Sequence, residues 1–557
     1  MFIETDVAII GGGPAGLMLA IELGCRGIAC VVLEEDLDPP AFPKANATSA
    51  RTMEHYRRRG FSHDIRAVGM TEDYPQDIVY CTTLAGAELT RFSIPSRAQA
   101  KARTDFGDYG ESSWPTPELP HRAQQMLIEP VLRRQAESYP SVKLMCGWRA
   151  ESLEMSATQV DVVAKSTVDD GVLQLKARYI IGCDGPRSLV RKTLDIQYSG
   201  QSGEARDFFG GQMLSVFFSS ADLYRILGKK PAWQYWAVNP TQRGLLIAID
   251  GIEKFTFGLQ LKPGQTVESI DYRAALFAAV GAPFEFELHA TAPWLAGFTL
   301  VANNFSSGRA FIAGDAAHLF TPTGGMGYNT SVDDAVNLGW KLAAVIQGWA
   351  EESLLDSYES ERQPIAHRNT AFARTMADSI GKVALPADLM TAGAHGEKAR
   401  RELGVVLNEH VRAEFNIPGL QLGMRYENST IVAKDAEPPP PDPANHYYPN
   451  ARPGARAPHV WIKEQSILDL FGRDFTLLCF GVEGVAKNDS DVARWASLAS
   501  ARGVPLDILH CHQNEARILY GADRVLIRPD HHIAWRGSAE TNVEAVLDMI
   551  CAHKTTS

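Results

Sequence analysis

The sequence contains no apolar run that approaches the roughly 18 residues needed for a membrane-spanning helix. Its beginning also lacks the basic region, apolar core and cleavage site of a secretory signal, because the first residues already read as a strand. We therefore expect a protein that functions in the cytoplasm without a membrane span.

Cysteine pairs and an excess of basic residues are also missing. The eight cysteines are scattered without a Cys-x-x-Cys motif, which excludes an evident disulfide framework or structural zinc site. Lys and Arg number 54 against 66 Asp and Glu, so the formal net charge is −12. Nucleic acids and anionic membranes require concentrated positive charge, so we expect a small-molecule partner instead.

The histidines of the C-terminal part do not change the expectation that there is no metal site. His510 and His512 flank Cys511, and His531 adjoins His532. Neighbouring residues of a strand point to opposite faces, and no further ligand pair stands at helical spacing. We interpret these histidines as a surface cluster.

At 557 residues the chain exceeds one ordinary hydrophobic core, so several domains are expected. The run from Thr5 to Ile10 predicts a buried parallel strand, and a helix from Pro14 and a strand over 28–33 complete a βαβ unit. Short strand-like runs between about 197 and 302 predict an antiparallel sheet. Prolines over 437–443 predict an extended linker before a second α/β region.

A glycine-rich turn lies between the first strand and the first helix. There glycines allow a tight turn and the close approach of a pyrophosphate to the helix N-terminus. Glu34, at the end of the next strand, is placed to accept hydrogen bonds from an adenosine ribose. The predicted dinucleotide-binding residues are Glu34 and the turn residues Gly11, Gly13, Pro14, Ala15 and Gly16.

Two later segments add a second set of such features. Asp184 follows a strand-like run and precedes Gly185, which alone is only a common turn signal. Together with the other two segments, it is a predicted cofactor-binding residue. A third segment begins with Gly314 and Asp315, whose carboxylate would suit a flavin ribityl hydroxyl. A second glycine-rich loop then leads into a helix predicted over 330–349, with Ser331 as a possible cap and Asp333 and Asp334 in its first turn. The predicted flavin-binding residues of this loop are Pro322, Gly325, Gly327, Tyr328 and Asn329.

Several other residues have a functional and a structural interpretation. Arg51 and, with less support, Lys44 could reach the pyrophosphate or belong to a solvated basic loop. Arg122 and Gln125 could approach the cofactor or simply begin a helix. His318 invites a catalytic role, but packing of the loop is the favoured interpretation.

With all three segments considered, the chain resembles the class A flavoprotein aromatic monooxygenases, the para-hydroxybenzoate hydroxylase-like group. It is most similar to the phenol hydroxylase and polyketide hydroxylase branch, which carries a C-terminal thioredoxin-like domain. The matching motifs are GGGPAG from Gly11, ARTME from Ala50, Gln125-x-x-x-Glu129-Pro130, GCDGPRSLVR from Gly182, GDAAHLFTPTGGMGYN from Gly314 and DAVNLGWKLA from Asp334.

The resemblance implies a mixed α/β and α+β fold with a Rossmann-like FAD-binding domain interrupted by a mostly antiparallel substrate-binding sheet. The FAD domain would comprise 1–75, 120–196 and 303–380, and the sheet domain 76–119 and 197–302. A helical segment and linker over 381–450 would precede the thioredoxin-like domain over 451–557. A homodimer is possible.

The resemblance also implies the chemistry. FAD would be reduced by NAD(P)H, react with O2 to give a C4a-hydroperoxide, and hydroxylate a phenolic or similarly activated aromatic substrate. Carried over to this sequence, Glu34 would bind the ribose, Arg51 and Gln125 the periphery of FAD, Asp315 the ribityl chain, and the backbone over 327–329 the flavin pyrimidine.

Two departures from the family pattern stand out. Tyr328 occupies a position that is usually small or aliphatic, which predicts a reshaped pocket floor. The C-terminal domain lacks a Cys-x-x-Cys motif, so we expect a structural or interaction role for it.

A base or a hydrogen-bonded tyrosine should face the flavin, and Tyr235 is the candidate. Alternatives are a flavin halogenase or isoprenoid reductase, although the halogenase tryptophan motif is missing, and a non-catalytic flavin-bound interaction protein.

Overall fold

The computed structural model describes residues 1–102, 106–110, 112–202, 210–262, 264–481, 490–538 and 541–553. No helix within these ranges is long and apolar enough to cross a membrane. In chain order the strands are β1 (Phe2–Ile10), β2 (Cys30–Glu34), β3 (Ile78–Cys81), β4 (Glu88–Phe92), β5 (Val142–Cys146), β6 (Trp148–Met155), β7 (Val160–Ser166), β8 (Val172–Gly182), β9 (Tyr198–Gln201), β10 (Gly211–Ser219), β11 (Gln234–Ala237), β12 (Gly244–Ala248), β13 (Lys254–Gln260), β14 (Glu287–Ala296), β15 (Thr299–Ala302), β16 (Ser306–Ser307), β17 (Ala310–Ile312), β18 (His318–Leu319), β19 (Trp461–Ile462), β20 (Gln465–Ser466), β21 (Phe475–Phe480), β22 (Leu506–Cys511), β23 (Arg524–Ile527) and β24 (Ile533–Gly537).

The helices lie between and after these strands. In chain order they are α1 (Pro14–Gly24), α2 (Ala50–Arg58), α3 (Ser62–Ala67), α4 (Arg97–Lys101), α5 (Gln125–Glu137), α6 (Leu189–Thr193), α7 (Leu223–Leu227), α8 (Tyr272–Val280), α9 (Met326–Gln347), α10 (Asp356–Gly381), α11 (Ala394–Phe415), α12 (Pro418–Leu422), α13 (Ser490–Ala501), α14 (Asn514–Tyr520) and α15 (Val543–Ile550).

The first sheet has the order β16-β17-β8-β1-β2-β5, with β7 pairing β8 and β6 pairing β7. Strands β17, β8, β1, β2 and β5 are parallel, so their carboxyl ends lie at one edge. The end of β1 is apolar and buried from Val7 to Ile10, as expected for a strand covered on both faces. This is the Rossmann-like domain.

The second sheet has the order β14-β10-β13-β12-β11-β3-β4 and is antiparallel except for the pairing of β11 with β3. Side chains alternate between its two faces. One face, called the covered face, includes Phe218 and Phe255, whose rings contact Phe284 after α8 and Tyr224 of α7. The opposite face includes Phe217, whose ring lies 6.3 Å from that of Phe42 in the first domain. It is called the cleft face.

A four-stranded sheet with the order β22-β21-β23-β24 forms the C-terminal domain together with α13, α14 and α15. Strand β22 is parallel to β21, whereas β23 and β24 are antiparallel, as in a thioredoxin-like sheet. Strands β9, β15 and β18 form a small sheet, and β19 pairs β20.

Two details of the sequence prediction are wrong. Helix α9 begins at Met326, so Ser331 lies inside the helix and bonds the Gly327 carbonyl rather than capping its start. His531 and His532 are buried rather than part of a surface cluster. His532 Nδ1 lies 2.9 Å from the carbonyl oxygen of Gly454. No metal-binding group of side chains occurs in the described ranges.

Candidate flavin and substrate site

The three sequence segments meet at the carboxyl edge of the first sheet. Ile10 and Ile312 both pair with Gly182, so the residues that follow β1, β8 and β17 are neighbours. Because the loops that follow parallel strands all leave the sheet at this edge, loops from distant parts of the chain can surround one ligand there.

The first turn is closed by contacts that only glycines allow. Gly11 has φ +104°, and a Cβ on it would lie 2.3 Å from the Cys183 carbonyl oxygen. A Cβ on Gly16 would lie 2.0 Å from the carbonyl oxygen of Gly11. Gly13 faces open space within 4 Å and immediately precedes α1, which begins with Pro14. The turn therefore leaves room for a phosphate at the helix N-terminus.

The Glu34 carboxylate is held beside this turn. It accepts hydrogen bonds from the Gly12 amide at 2.6 Å and from the Asp36 amide at 3.0 Å. These bonds fix the carboxylate at the end of β2, next to the glycines. Binding of a ribose by Glu34 stays a prediction.

Two more carboxylates stand at the same edge. Asp184 Oδ2 accepts the Leu189 amide at 2.6 Å, whereas Asp184 Oδ1 is buried without a partner among the described residues. Burial raises the pKa of Asp184. Asp315 is exposed at the edge, in the turn opened by Gly314 with φ +63°. An unpartnered buried oxygen and an exposed carboxylate here fit the polar chain of a flavin nucleotide.

The second glycine-rich loop ends at the N-terminus of α9. Gly324 and Gly325 both have φ +64°, and Gly325 is the N-cap. The first amides of a helix have no partner within it, so those of 326–328 are available to a ligand, and the helix dipole favours negative charge there. Pro322 is exposed in the same loop.

Asn329 holds this helix start against the segment 47–49. Its Oδ1 accepts the Ser49 amide at 2.7 Å, and its Nδ2 donates to the carbonyls of Ala47 and Gly325. The side chain is therefore structural, and contact of Asn329 with a cofactor stays a prediction.

Tyr328 turns into the first domain. Its hydroxyl lies 2.5 Å from the hydroxyl of the buried Tyr56 in α2. Burial raises the pKa of both tyrosines. The prediction that Tyr328 reshapes the pocket floor gains no support from this orientation.

Asp334 is a site residue that sequence reasoning placed wrongly, in the first turn of α9. In the third turn, its buried carboxylate accepts from the Gly314 amide at 3.2 Å and from Arg362 Nε at 2.8 Å. His318 Nε2 lies 2.6 Å from the same carboxylate. Burial opposes ionisation, but His318 and Arg362 hold the pKa of Asp334 below its ordinary value. His318 thus supports the loop, as expected.

Arg51 does not contribute to this edge. Its Nη1 donates to Glu54 at 3.1 Å and its Nη2 to the Asp530 carbonyl at 2.5 Å, in the contact with the C-terminal domain. Lys44 is an exposed cation near the edge. Burial raises the pKa of Glu129, and the nearby Lys44 charge opposes this shift. The geometry supports Lys44 over Arg51 as a phosphate partner.

Gln125 begins α5 beside the same segment. Its amide donates to the Ala45 carbonyl at 2.7 Å, and its Nε2 donates to Glu129 at 2.5 Å. The start of α5 is thus next to Ala45, the residue after Lys44, and the Gln125 side chain stays a predicted FAD contact.

Tyr235 lies on the covered face of its sheet, opposite to the cleft face. It pairs with Val79 and Leu246, which places it on the covered face with Phe257. Its hydroxyl accepts the Ala232 amide at 2.7 Å, and the side chain is fully buried. The structure therefore gives no support to Tyr235 as the tyrosine that faces the flavin. Residues of a strand alternate between two faces, and the sequence does not show which face is covered.

Tyr80 and Glu414 are cleft residues that sequence reasoning missed. Tyr80 stacks on Trp236 with ring centroids 5.4 Å apart, and its buried hydroxyl has no partner among the described residues. Glu414 Oε1 accepts the Gly324 amide at 2.8 Å, and its Oε2 lies 3.0 Å from His410 Nε2. Through Glu414, helix α11 therefore contacts the second glycine-rich loop, which is called the flavin loop. No sequence motif indicated this contact.

Together, a pyrophosphate-sized turn, an exposed carboxylate and a free helix N-terminus fit FAD and define a flavoprotein. Comparisons with known proteins agree. A family model described as FAD binding domain matches residues 4–373, and one described as aromatic-ring hydroxylase, C-terminal, matches 450–553. The chain therefore belongs to the FAD-dependent aromatic monooxygenases of the class A flavoprotein family.

Individual relatives extend over nearly the whole chain. FAD-dependent monooxygenase apdD of Emericella nidulans is 30% identical and covers 97% of this chain and 88% of that one. A putative polyketide hydroxylase of Streptomyces halstedii is 31% identical, with coverages of 97% and 95%. The structure of the rebeccamycin biosynthetic enzyme RebC with reduced flavin has a TM-score of 0.88 at 31% identity and covers 100% of both chains.

Proposed function

We propose that the protein uses NAD(P)H and O2 to hydroxylate a phenolic or comparably activated aromatic compound held between the flavin loop and the cleft face. The observation that carries this proposal is the position of the flavin loop. Its Gly324 amide donates to Glu414, and the loop adjoins the cleft face, where Tyr80 and Trp236 stack. FAD bound here would accept two electrons from NAD(P)H and activate O2, with one oxygen atom passing to the ring and the other to water.

The chain's own residues supply binding, charge and shelter in this proposal. Backbone amides at the start of α9 stabilise negative charge at the flavin pyrimidine. Lys44 balances the pyrophosphate, and Glu34 and Asp315 accept hydrogen bonds from the ribose and the ribityl chain. The rings of Trp236 and Tyr80 exclude water from the cleft.

Hydroxylation is tested by stopped-flow oxidation of NADH and NADPH by the FAD-loaded protein with single-ring phenols and polycyclic quinols, followed by product mass. The expected result is faster oxidation with one compound and a product that gains one oxygen atom. If peroxide accounts for all consumed NAD(P)H throughout the panel, the hydroxylase proposal is wrong.

Tyr80 replaces Tyr235 as the proposed hydrogen-bonding tyrosine. Burial raises the pKa of Tyr80 well above its ordinary value, so its hydroxyl would donate to the substrate oxygen rather than act as a base. In this proposal Tyr80→Phe lowers product yield per NAD(P)H about 10-fold, the effect of a lost hydrogen bond to a charged group. Tyr235→Phe, on the opposite face, is the matched control and should leave that yield unchanged.

A further inference from the structure

Arg122 differs from the other buried arginines of the described chain. It is 3% exposed, and within the described ranges its Nε has no partner and its side chain forms no hydrogen bond or ion pair. Each of the others donates to a carboxylate or to backbone carbonyls. They are Arg26, Arg51, Arg191, Arg362, Arg456, Arg524 and Arg528.

The surroundings of Arg122 are aromatic. The guanidinium carbon lies 4.5 Å from the ring centroid of Trp233 and 6.0 Å from that of Phe415. Tyr109 is close by, since its hydroxyl donates to the Phe415 carbonyl. Stacking on a ring stabilises a cation, but it leaves the N–H groups in the plane of the guanidinium unsatisfied. Burial lowers the pKa of Arg122, as expected for a charge without a counter-ion.

Arg122 also lies where the two large domains meet. The adjacent His121 exchanges both backbone hydrogen bonds with Thr48, at 2.8 and 2.9 Å. The neighbouring Ala47 and Ser49 are bonded by Asn329 in the first turn of α9. Trp233 directly precedes β11 of the second sheet. The guanidinium is therefore placed between the start of α9 and the second sheet, which would cover the substrate.

We propose that Arg122, stacked on Trp233 and flanked by Phe415, binds a carboxylate carried by the aromatic substrate. A guanidinium offers two parallel N–H donors that match the two oxygens of a carboxylate. The three rings provide no second cation, so a monoanion suits the site better than a phosphate. The inference rests on the proposed function for the identity of the cleft as a substrate site.

The test compares matched acids and amides as binding probes. The pairs are 4-hydroxybenzoate and 4-hydroxybenzamide, 3-hydroxy-2-naphthoate and its amide, and anthraquinone-2-carboxylate and its amide. Binding to the oxidised FAD-loaded protein is measured by calorimetry and by the change in flavin absorbance. At least one acid should bind roughly 10- to 100-fold more tightly than its amide. Equal affinities within all three pairs would overturn the proposal.

Variants separate recognition from structure. Arg122→Met should reduce the acid preference to within about 2-fold, and Arg122→Lys should retain part of it. Arg412→Met is the matched control, because Arg412 precedes Phe415 by one turn but is exposed and paired with Asp108. It should leave the preference unchanged. An acid preference that persists in Arg122→Met would contradict the inference.

A melting curve of the ligand-free protein gives an independent readout. Arg122→Met should keep full FAD content and melt at the same or a higher temperature, because it removes a buried charge without a partner. A lower melting temperature with loss of FAD would instead show a structural role and sink the proposal. Production of peroxide alone would refute hydroxylation but leave the acid preference intact, so the two failures are distinguishable.

Discussion

Two glycines of the first turn are close in sequence but face different surroundings. A methyl group on Gly16 would strike the Gly11 carbonyl, whereas one on Gly13 would enter open space. Gly16→Ala should therefore lower the free energy of unfolding of the apoprotein by about 1 to 3 kcal/mol, as overpacking does. Gly13→Ala should leave apoprotein stability unchanged and weaken FAD, because the methyl group would occupy the space predicted for the pyrophosphate.

Urea unfolding of both apoproteins and FAD titration by fluorescence quenching check this difference. Equal stability of the two variants would show that the turn relaxes around an added methyl group. Unchanged FAD affinity in Gly13→Ala would place the pyrophosphate elsewhere.

At the scale of single residues, the sequence indicated which glycines and carboxylates lie at the carboxyl edge of the first sheet. It was a poorer guide to the positions of Arg51, Lys44 and Tyr235. Glycine positions follow from local backbone geometry, which the motif encodes. Arg51 and Lys44 were both plausible, and only the course of α2 towards the C-terminal domain separates them. Arg122 is informative because its side chain has no partner in the part of the chain that the structure describes, and a sequence cannot show that a partner is missing.

Within α9, the pKa values of two adjacent carboxylates are shifted in opposite directions. Asp334 has a lowered pKa, whereas burial raises the pKa of Asp333 to about 6, with His55 Nε2 2.9 Å from its Oδ1. Asp334→Asn should destabilise the protein by about 3 to 5 kcal/mol at pH 7, because Arg362 loses its buried counter-ion. Asp333→Asn should instead raise the free energy of unfolding by about 1 to 3 kcal/mol at pH 7.

The sign for Asp333 follows from its raised pKa in the folded state. The folded protein holds that proton more tightly than the unfolded chain, so the stability contributed by protonation is lost as pH rises from about 4 to 6. The advantage of Asp333→Asn should therefore disappear below pH 4. Denaturant unfolding of both variants between pH 4 and 8 measures these differences, and a destabilising Asp333→Asn at pH 7 would refute the assignment.

The start of α9 also shows that a hydrophobic pattern does not determine the residue at which a helix begins. Periodicity predicts the body of the helix, but glycines at 324 and 325 are more typical of a helix end than of a start. Here Gly325 is the N-cap in a left-handed conformation, and Asn329 holds the first turn from outside. That tertiary contact lies 280 residues away in sequence at Ser49, beyond the reach of local pattern.

At the scale of the whole molecule, buried ion pairs join the C-terminal domain to the rest. Arg456 donates to Glu54 of α2, Arg528 to Glu361 of α10, and Arg26 to Asp474 before β21. Composition and the proline-rich linker indicated a separate α/β region, but they gave no sign of these contacts. The paired residues are charged, and a sequence gives no reason to expect charged residues inside.

Glu54 is the clearest test of this connection. Burial disfavours its charge, but Arg456 and Arg51 lower its pKa to about 2. Its carboxylate therefore contributes stability at and above pH 4.5, and this contribution is lost as pH falls towards 2. Glu54→Gln should destabilise the protein by about 3 to 5 kcal/mol at pH 7, since two buried arginines lose their counter-ion.

The difference between wild type and Glu54→Gln should shrink steadily below pH 4.5, as the wild-type carboxylate itself becomes protonated. Unfolding by urea, followed by tryptophan fluorescence at pH 7, 5, 4 and 3, measures it. Glu544→Gln is the matched control, because Glu544 pairs with Arg494 at the surface of the same domain and should change nothing measurable. A constant difference at all four pH values would mean that Glu54 acts through packing. Its ion pair would then not be what connects the C-terminal domain to α2.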